Sequence, residues 1–185
     1  MSKSPISHRA AIPAVGLITV AMALCGVTAC EKSKPPPATP TADFGGTDLA
    51  WIEITIAMDE QVEPLLALVP AKGRDAGVRA LAQQVQAFTG SELTPLRALH
   101  DEAGLPAQNP HEGMPMPGVV SAETVRRASA LSGAAFDKLV RAQISDHLRQ
   151  GKNLAESEEK AGTERRTRAL ASDVIHTRTE ALSQM

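Results

Sequence analysis

The chain has 185 residues, a formal net charge of −2 and a composition that is 43% hydrophobic and 2% aromatic. Abundant Ala, Leu and Val with so few aromatic side chains favour helices and exclude a large β core. Because the charge is slightly negative and the sequence has no aromatic cluster for base stacking, the composition also excludes a nucleic-acid-binding surface.

Residues 1–29 have the layout of a secretory signal. Lys3 and Arg9 precede a largely apolar run over residues 10–24, and small residues follow it. These small residues end in VTAC at 27–30, which resembles the lipobox of bacterial lipoproteins. In that motif the cysteine is lipidated and becomes the mature N-terminus. We therefore predict a lipid anchor on Cys30 that holds the protein at the extracytoplasmic face of the cell membrane. An uncleaved membrane-spanning anchor is the alternative, since the run approaches the ~20 residues that a spanning helix needs.

Residues 30–46 are predicted to form a tether between this anchor and a folded domain. A charged stretch at 31–34 is followed by a proline-rich run at 35–40, which favours an extended chain. Of the two cysteines in the chain, Cys25 lies in the signal and Cys30 is the predicted lipidation site. No disulfide is then available to the domain, so packing must stabilise it.

Residues 47–185 are predicted to form an all-α, ferritin-like four-helix bundle. Apolar residues at spacings of three and four predict long helices over about 47–68, 75–103 and 132–162, and a fourth helix that Thr163 caps. Ser132 is predicted to cap the third helix. Residues 104–120 hold three glycines and four prolines, which predicts a long crossing loop, and a short helix capped by Ser121 follows it.

The bundle is predicted to consist of two copies of one helical hairpin, at about residues 47–103 and 132–185. A shift of 89 positions (137 − 48 = 89) places Asp48 on Asp137 and the RALA at 79–82 on the RALA at 168–171, without a gap. A long unit that occurs only twice is typical of one bundle with internal pseudosymmetry, not of a solenoid.

The order of several segments resembles the bacterial family called domain of unknown function 305. These segments are SGAA at 132–135, FDKL at 136–139 followed by His147, the loop GMPMPG at 113–118 and the repeated RALA, and the similarity covers about residues 47–184. The resemblance implies a duplicated, ferritin-like hairpin, often exported, with a histidine pair flanked by methionines on the first helix of each half. Some relatives are linked to copper binding and tolerance, and no enzymatic activity is established for the family at large.

This sequence departs from the family pattern at the histidine pairs. The first pair aligns with Met58 and Asp59, and the second aligns with His147 and Leu148. One of the four family histidines therefore remains, and a methionine stands at the position equivalent to it in the first hairpin.

Five residues are the candidate ligands of a copper site. Met58 and His147 occupy equivalent positions on inward helix faces, and a thioether with an imidazole suits Cu(I). The crossing loop adds His111, Met114 and Met116, in the spacing His-x-x-Met-x-Met. The alternative is packing, because a core methionine fills gaps, a core histidine needs one hydrogen-bond partner, and loop methionines can cover the end of the bundle.

The motifs expected of an enzyme are absent from the sequence. It lacks the paired Glu-x-x-His motifs of di-iron bundles, a Gly-x-Ser-x-Gly elbow and a His-Glu-x-x-His helix. The acidic run at 156–160 is predicted to be a solvated helix face. We therefore expect a non-enzymatic, membrane-anchored lipoprotein with weak copper binding. The alternative is an interaction or scaffold module that binds another protein of the cell envelope.

Overall fold

The computed structural model describes residues 43–185, and all the regular secondary structure in this part of the chain is helical. Its helices are α1 (Gly46–Leu66), α2 (Val69–Lys72), α3 (Ala76–Glu102), α4 (Ala122–Ala130), α5 (Gly133–Ala161) and α6 (Arg165–Ser183). Within these residues, no helix is long and apolar enough to cross a membrane. The predicted signal at 1–29, the lipidation site Cys30 and the tether up to residue 42 lie outside the described residues.

The four long helices form the bundle. α1 packs on α3 and α5, and α6 packs on the same two helices, so that each helix has two neighbours around the ring. The short helix α4 lies against α1 and α5, after the loop that leads from the first hairpin to the second. The prediction of an all-α bundle, built from two hairpins joined by a long loop with a short extra helix, is confirmed.

The interior of the bundle has two apolar clusters with a polar layer between them. One cluster includes Val62, Leu65, Val85, Phe136, Ile144 and Ala181, and the other includes Trp51, Ile56, Leu96, Ala155 and Val174. Where one cluster gives way to the other, each long helix contributes a buried polar residue: Asp59, Glu92, His147 and Arg178. Because both clusters and the layer lie in residues 43–185, we expect this part of the chain to fold without the preceding residues.

The two hairpins hold each other through equivalent hydrogen bonds. The carboxylate of Asp48, in the first turn of α1, accepts the backbone N–H groups of residues 163 and 164 at 3.1 and 3.0 Å. The carboxylate of Asp137, in α5, accepts those of residues 74 and 75 at 3.2 and 3.0 Å. The shift of 89 relates every one of these positions. Each carboxylate therefore satisfies N–H groups just before a helix, where the helix dipole also favours negative charge.

Of three predictions about helix starts, the one for α6 is wrong, the one for α5 is right in position only, and the one for α4 is confirmed. Glu164, not Thr163, is the N-cap residue of α6, and its carboxylate accepts the N–H of Thr167 at 2.7 Å. Ser132 occupies the N-cap position of α5, but its side chain makes no capping hydrogen bond to a described residue. Ser121 caps α4 as predicted, by accepting the N–H of residue 124 at 3.1 Å.

Candidate functional site

Met58 and His147 are both buried inside the bundle. Met58 on α1 and His147 on α5 expose 2% and 1% of their surface. The Nε2 atom of His147 lies 3.6 Å from Oδ1 of Asp59, the residue that follows Met58. The structure therefore brings the imidazole ring to the turn of α1 that carries Met58. Metal binding by these two residues stays a prediction.

Arg178 of α6 supplies the positive charge of this polar layer. Its guanidinium group donates to Glu92 at 2.7 Å, approaches Asp59 at 3.3 Å and lies 4.4 Å from the centroid of the Phe88 ring. The side chain is 1% exposed. A buried cation is tolerated only when carboxylates and hydrogen bonds compensate it. Arg178 therefore ties α6 to α1 and α3 at the middle of the bundle.

Burial decides the protonation states in the layer. It raises the pKa of Asp59 to about 8, although the charge of Arg178 acts in the opposite direction. Burial, followed by the charge of Arg178, lowers the pKa of His147 to about 3, so the imidazole is neutral. A neutral imidazole can bind a metal, but the fixed guanidinium charge beside it repels a second cation.

The loop candidates lie on two successive turns. The N–H of Met114 donates to the carbonyl of His111 at 3.1 Å, and Gly113 has a φ of +72° at the third position of this turn. The next turn closes from the N–H of Val119 to the carbonyl of Met116 at 3.2 Å, with Gly118 at a φ of +77°. A positive φ at the third residue is what a type II turn requires, and glycine adopts it without strain. Such a turn brings its first and last Cα atoms within about 7 Å, so the backbones of His111 and Met114 lie close together.

The two loop methionines border a groove of about 890 Å³ between the loop, α1 and α4. Apolar residues in its lining include Pro64, Val119, Val120 and Val125, and Glu60, Glu112 and Glu123 also border it. Among the described residues, Met114 and Met185 are the large hydrophobic side chains that stand exposed, at 41% and 38%. Met114 therefore presents a thioether to solvent at the border of an apolar surface.

His111 points to a different neighbour. Its Nε2 atom lies 3.7 Å from Oε2 of Glu53 on α1, and the side chain is 22% exposed. The structure therefore divides the five predicted ligands among the buried layer, the groove and this position beside Glu53. No cluster of three or more His, Cys, Asp or Glu side chains within residues 43–185 is arranged to hold a metal ion.

Sequence reasoning missed Arg178. The apolar pattern of α6 predicts Leu170, Val174, Ile175 and Leu182 as its inward residues, but the buried residues are Thr167, Ala171, Val174, Arg178 and Ala181. Their spacing of four, three, four and three is a regular inward stripe. An arginine on a stripe of small and apolar residues was the signal that could have identified a buried cation.

The fold and this interior define a class of protein: a duplicated four-helix bundle with an ion-paired layer in its core. The model of the family described as "Domain of unknown function (DUF305)" matches residues 48–185. The chain belongs to this family, and the resemblance predicted from the sequence is confirmed.

Two solved structures show the same fold. A protein from Streptomyces coelicolor, described as a secreted DUF305 protein, is 18% identical, with a TM-score of 0.65 over 74% of this chain and 88% of its own. A DUF305 fragment from Deinococcus radiodurans is 18% identical, with a TM-score of 0.64 over 80% of this chain and 94% of its own. None of the curated proteins matches the chain.

Proposed function

We propose that this protein is an exported, lipid-anchored and non-enzymatic bundle that binds Cu(I) weakly through its crossing loop. The observation that supports the proposal is the turn from His111 to Met114, which holds the backbones of a histidine and an exposed methionine close together. Met116 follows two residues later and borders the same groove as Met114. Thioether and imidazole ligands suit Cu(I), the soft form of copper.

Export and anchoring are supported by the first 30 residues. The signal layout of residues 1–29 and the VTAC segment that ends at Cys30 are the sequence support. The description of the Streptomyces coelicolor relative as secreted agrees with export of this chain.

The loop suits a bound copper ion better than the core does. In the core, Arg178 lies within 3.3 Å of Asp59, and the same Oδ1 atom of Asp59 is 3.6 Å from the ring of His147. A copper ion at His147 and Met58 would add a second positive charge beside a permanent one in a poorly solvated interior. Met114 is open to solvent, which screens such repulsion.

A non-enzymatic role fits the closure of the polar layer. Asp59, Glu92, His147 and Arg178 expose between 1% and 5% of their surface. A substrate therefore has no open route to Asp59 and His147, whose pKa values burial shifts, whereas catalytic groups normally line a cleft.

An anaerobic Cu(I) titration against a competing chelator tests the copper proposal on residues 42–185. We expect Met114→Leu with Met116→Leu to weaken binding at least about tenfold. Met58→Leu tests the core, and Met185→Leu is a matched control because Met185 is the other exposed methionine, at 38%. Binding that is lost with Met58→Leu and kept in the loop variant would move the site to the core. No binding at all would exclude the copper proposal.

Labelling with palmitate tests the anchor on the full chain. We expect Cys30→Ser to abolish lipid incorporation and to release the protein from membranes. Cys25→Ser is the control, because Cys25 is the other cysteine of the chain and lies in the predicted signal. Equal labelling of the Cys30→Ser variant would contradict anchoring at Cys30.

The groove favours a second function, the docking of an apolar segment flanked by basic residues from another envelope protein. Its lining combines apolar residues with Glu60, Glu112 and Glu123, so this partner would match it in polarity and charge. A photo-reactive residue at position 114 should crosslink one partner whose purified form binds this bundle, and the same residue at exposed Ser157 should not. Crosslinks that are the same at both positions would contradict docking.

A further inference from the structure

Glu158 is a buried acid that lies against a second acid. It belongs to the last part of α5 and is 0% exposed, so the sequence prediction of a solvated acidic face is wrong at this residue. A side chain on Gly162 would overlap the Glu158 carboxyl group, and its Cβ would lie 2.8 Å from Oδ1 of Asp48. The two carboxyl groups therefore meet over Gly162, where α5 ends.

The first hairpin has an apolar residue at the position equivalent to Glu158. The shift of 89 places Glu158 on Val69 and Gly162 on Gly73 (158 − 69 = 89). Val69 is also buried, at 2%, and a side chain on Gly73 would lie 3.1 Å from its Cγ1 atom. The geometry of the two junctions is equivalent, so the bundle does not need an acid there in order to fold.

The hydrogen-bond donors around Asp48 and Glu158 stabilise one negative charge, on Asp48. The Asp48 carboxylate accepts the N–H of Gly45 at 2.7 Å, the hydroxyl of Thr163 at 2.9 Å and the N–H of Glu164 at 3.0 Å. Against the effect of burial, hydrogen bonds from Glu158, Thr163 and Gly45 hold the pKa of Asp48 below its usual value. Asp48 is therefore the ionised member of the pair.

Glu158 is the protonated member. Burial, the hydrogen bond to Asp48 and the charge of Asp48 together raise its pKa to about 8. The other charged groups that face Glu158 are Arg168 and Glu164, both at the start of α6. Arg168 is exposed and donates to the carbonyl of residue 159 at 3.0 Å, so it only partly offsets the negative charges.

We propose that Glu158 and Asp48 form a proton-dependent latch that closes the start of α1 onto the α5–α6 turn at neutral pH and loosens it at alkaline pH. In the closed state, the Glu158 hydroxyl donates to the Asp48 carboxylate. When Glu158 loses its proton, two carboxylates share one buried site and repel each other. The hydroxyl oxygen of Thr163 also lies 3.0 Å from the carbonyl oxygen of Asp43, so the latch adjoins the point where the chain enters the bundle.

The direction of the pH effect follows from linkage. Glu158 has a pKa of about 8 when the latch is closed and 4.5 when it is exposed. Between these values the closed state holds a proton that the open state releases, so the latch weakens as pH rises. Asp48 is ionised in both states above pH 6 and adds no pH dependence there. From pH 6 to pH 8, the opening equilibrium should rise about 50-fold.

Hydrogen exchange of the Thr163 and Glu164 amides, corrected for intrinsic rates, measures this opening on residues 42–185. We expect the wild-type opening equilibrium to rise about 50-fold from pH 6 to pH 8. Glu158→Val copies the residue of the other hairpin and should change less than about twofold over the same range. Glu156→Val, on the exposed face of α5, should behave as the wild type. A Glu158→Val variant that keeps the wild-type pH dependence would overturn the proposal.

A second measurement does not depend on the folding of a variant. Carbon-13 NMR of the Glu158 carboxyl carbon in the wild-type protein reports its protonation directly. We expect a titration midpoint near pH 8. A midpoint near the ordinary value of a glutamate, ~4.3, would refute the latch.

Discussion

Replacing Arg178 with methionine tests how far the bundle depends on one buried cation. Methionine is long, flexible and apolar, so it removes the charge while it fills much of the same volume. The variant leaves Glu92 with the Thr177 hydroxyl, at 3.2 Å, as its hydrogen-bond donor among the described residues. It also removes the guanidinium group from Asp59, which it approaches at 3.3 Å in the wild type.

The expected loss follows from the two carboxyl groups that remain. Without the guanidinium charge Asp59 can take up a proton, because burial already raises its pKa to about 8. The second carboxyl group must remain charged in the core or take up a proton, which costs about 3.7 kcal/mol at pH 7 for an ordinary carboxyl pKa of ~4.3. This agrees with the ~3–5 kcal/mol that the loss of one partner of a buried ion pair costs. We therefore expect the free energy of unfolding to fall by about 3–4 kcal/mol at pH 7.

The loss should depend on pH in a defined direction. At pH 5 the same protonation costs about 1 kcal/mol, so the deficit of Arg178→Met should shrink by about 2–3 kcal/mol. Adding Glu92→Gln to Arg178→Met removes the group that must be protonated, and we expect it to restore at least about 2 kcal/mol at pH 7. The double variant should also lose most of this pH dependence.

Urea unfolding at pH 5 and pH 7 measures these differences. Trp51 is the single tryptophan of the chain and is 3% exposed, so its fluorescence reports unfolding. Arg165→Met is the control, because Arg165 is exposed on the same helix and should change stability by less than about 0.5 kcal/mol. A loss below about 1 kcal/mol for Arg178→Met at pH 7, or an equal loss at both pH values, would refute the reasoning.

Two further predictions concern backbone geometry and capping. Gly118→Ala should destabilise the protein by about 2 kcal/mol or more, because φ is +77° and the new Cβ would lie 2.9 Å from the Asp146 carbonyl oxygen. Gly90 lies in open space on α3, so Gly90→Ala should stabilise the protein by about 0.5–1 kcal/mol. Ser121→Ala should cost about 1 kcal/mol because a cap is lost, whereas Ser132→Ala should be close to neutral. Thermal unfolding checks both pairs, and equal effects within a pair would contradict them.

The all-α class and the duplicated hairpin could be predicted because both depend on local pattern. Helical periodicity and the 89-residue shift are properties of neighbouring positions and need no knowledge of the partner helix. The crossing loop was predicted from its prolines and glycines for the same reason. The capping residues were harder, since Thr163 and Ser132 both suit a helix start and the structure uses Glu164 for α6.

The candidate site could be predicted only in part. The inward orientation of Met58 and His147 follows from helical spacing, and the structure confirms their burial. The positive charge beside them does not follow from helical spacing. Arg178, which carries it, lies on α6 of the second hairpin, 119 positions from Asp59. Whether these residues bind copper stays a prediction.

The amino-acid pattern is sufficient for the helices, their pairing into hairpins and the internal duplication, because burial of an apolar stripe and the conformational preferences of glycine and proline act over a few residues. Charges behave differently, because the free energy of an ionisable group depends on its solvation and on partners that are distant in the chain. The exposed Glu156 and the buried Glu158 lie in the same acidic run of the sequence. Only the packing of α1 against the α5–α6 turn makes Glu158 a protonated acid, and only the assembled bundle places Arg178 between two carboxyl groups.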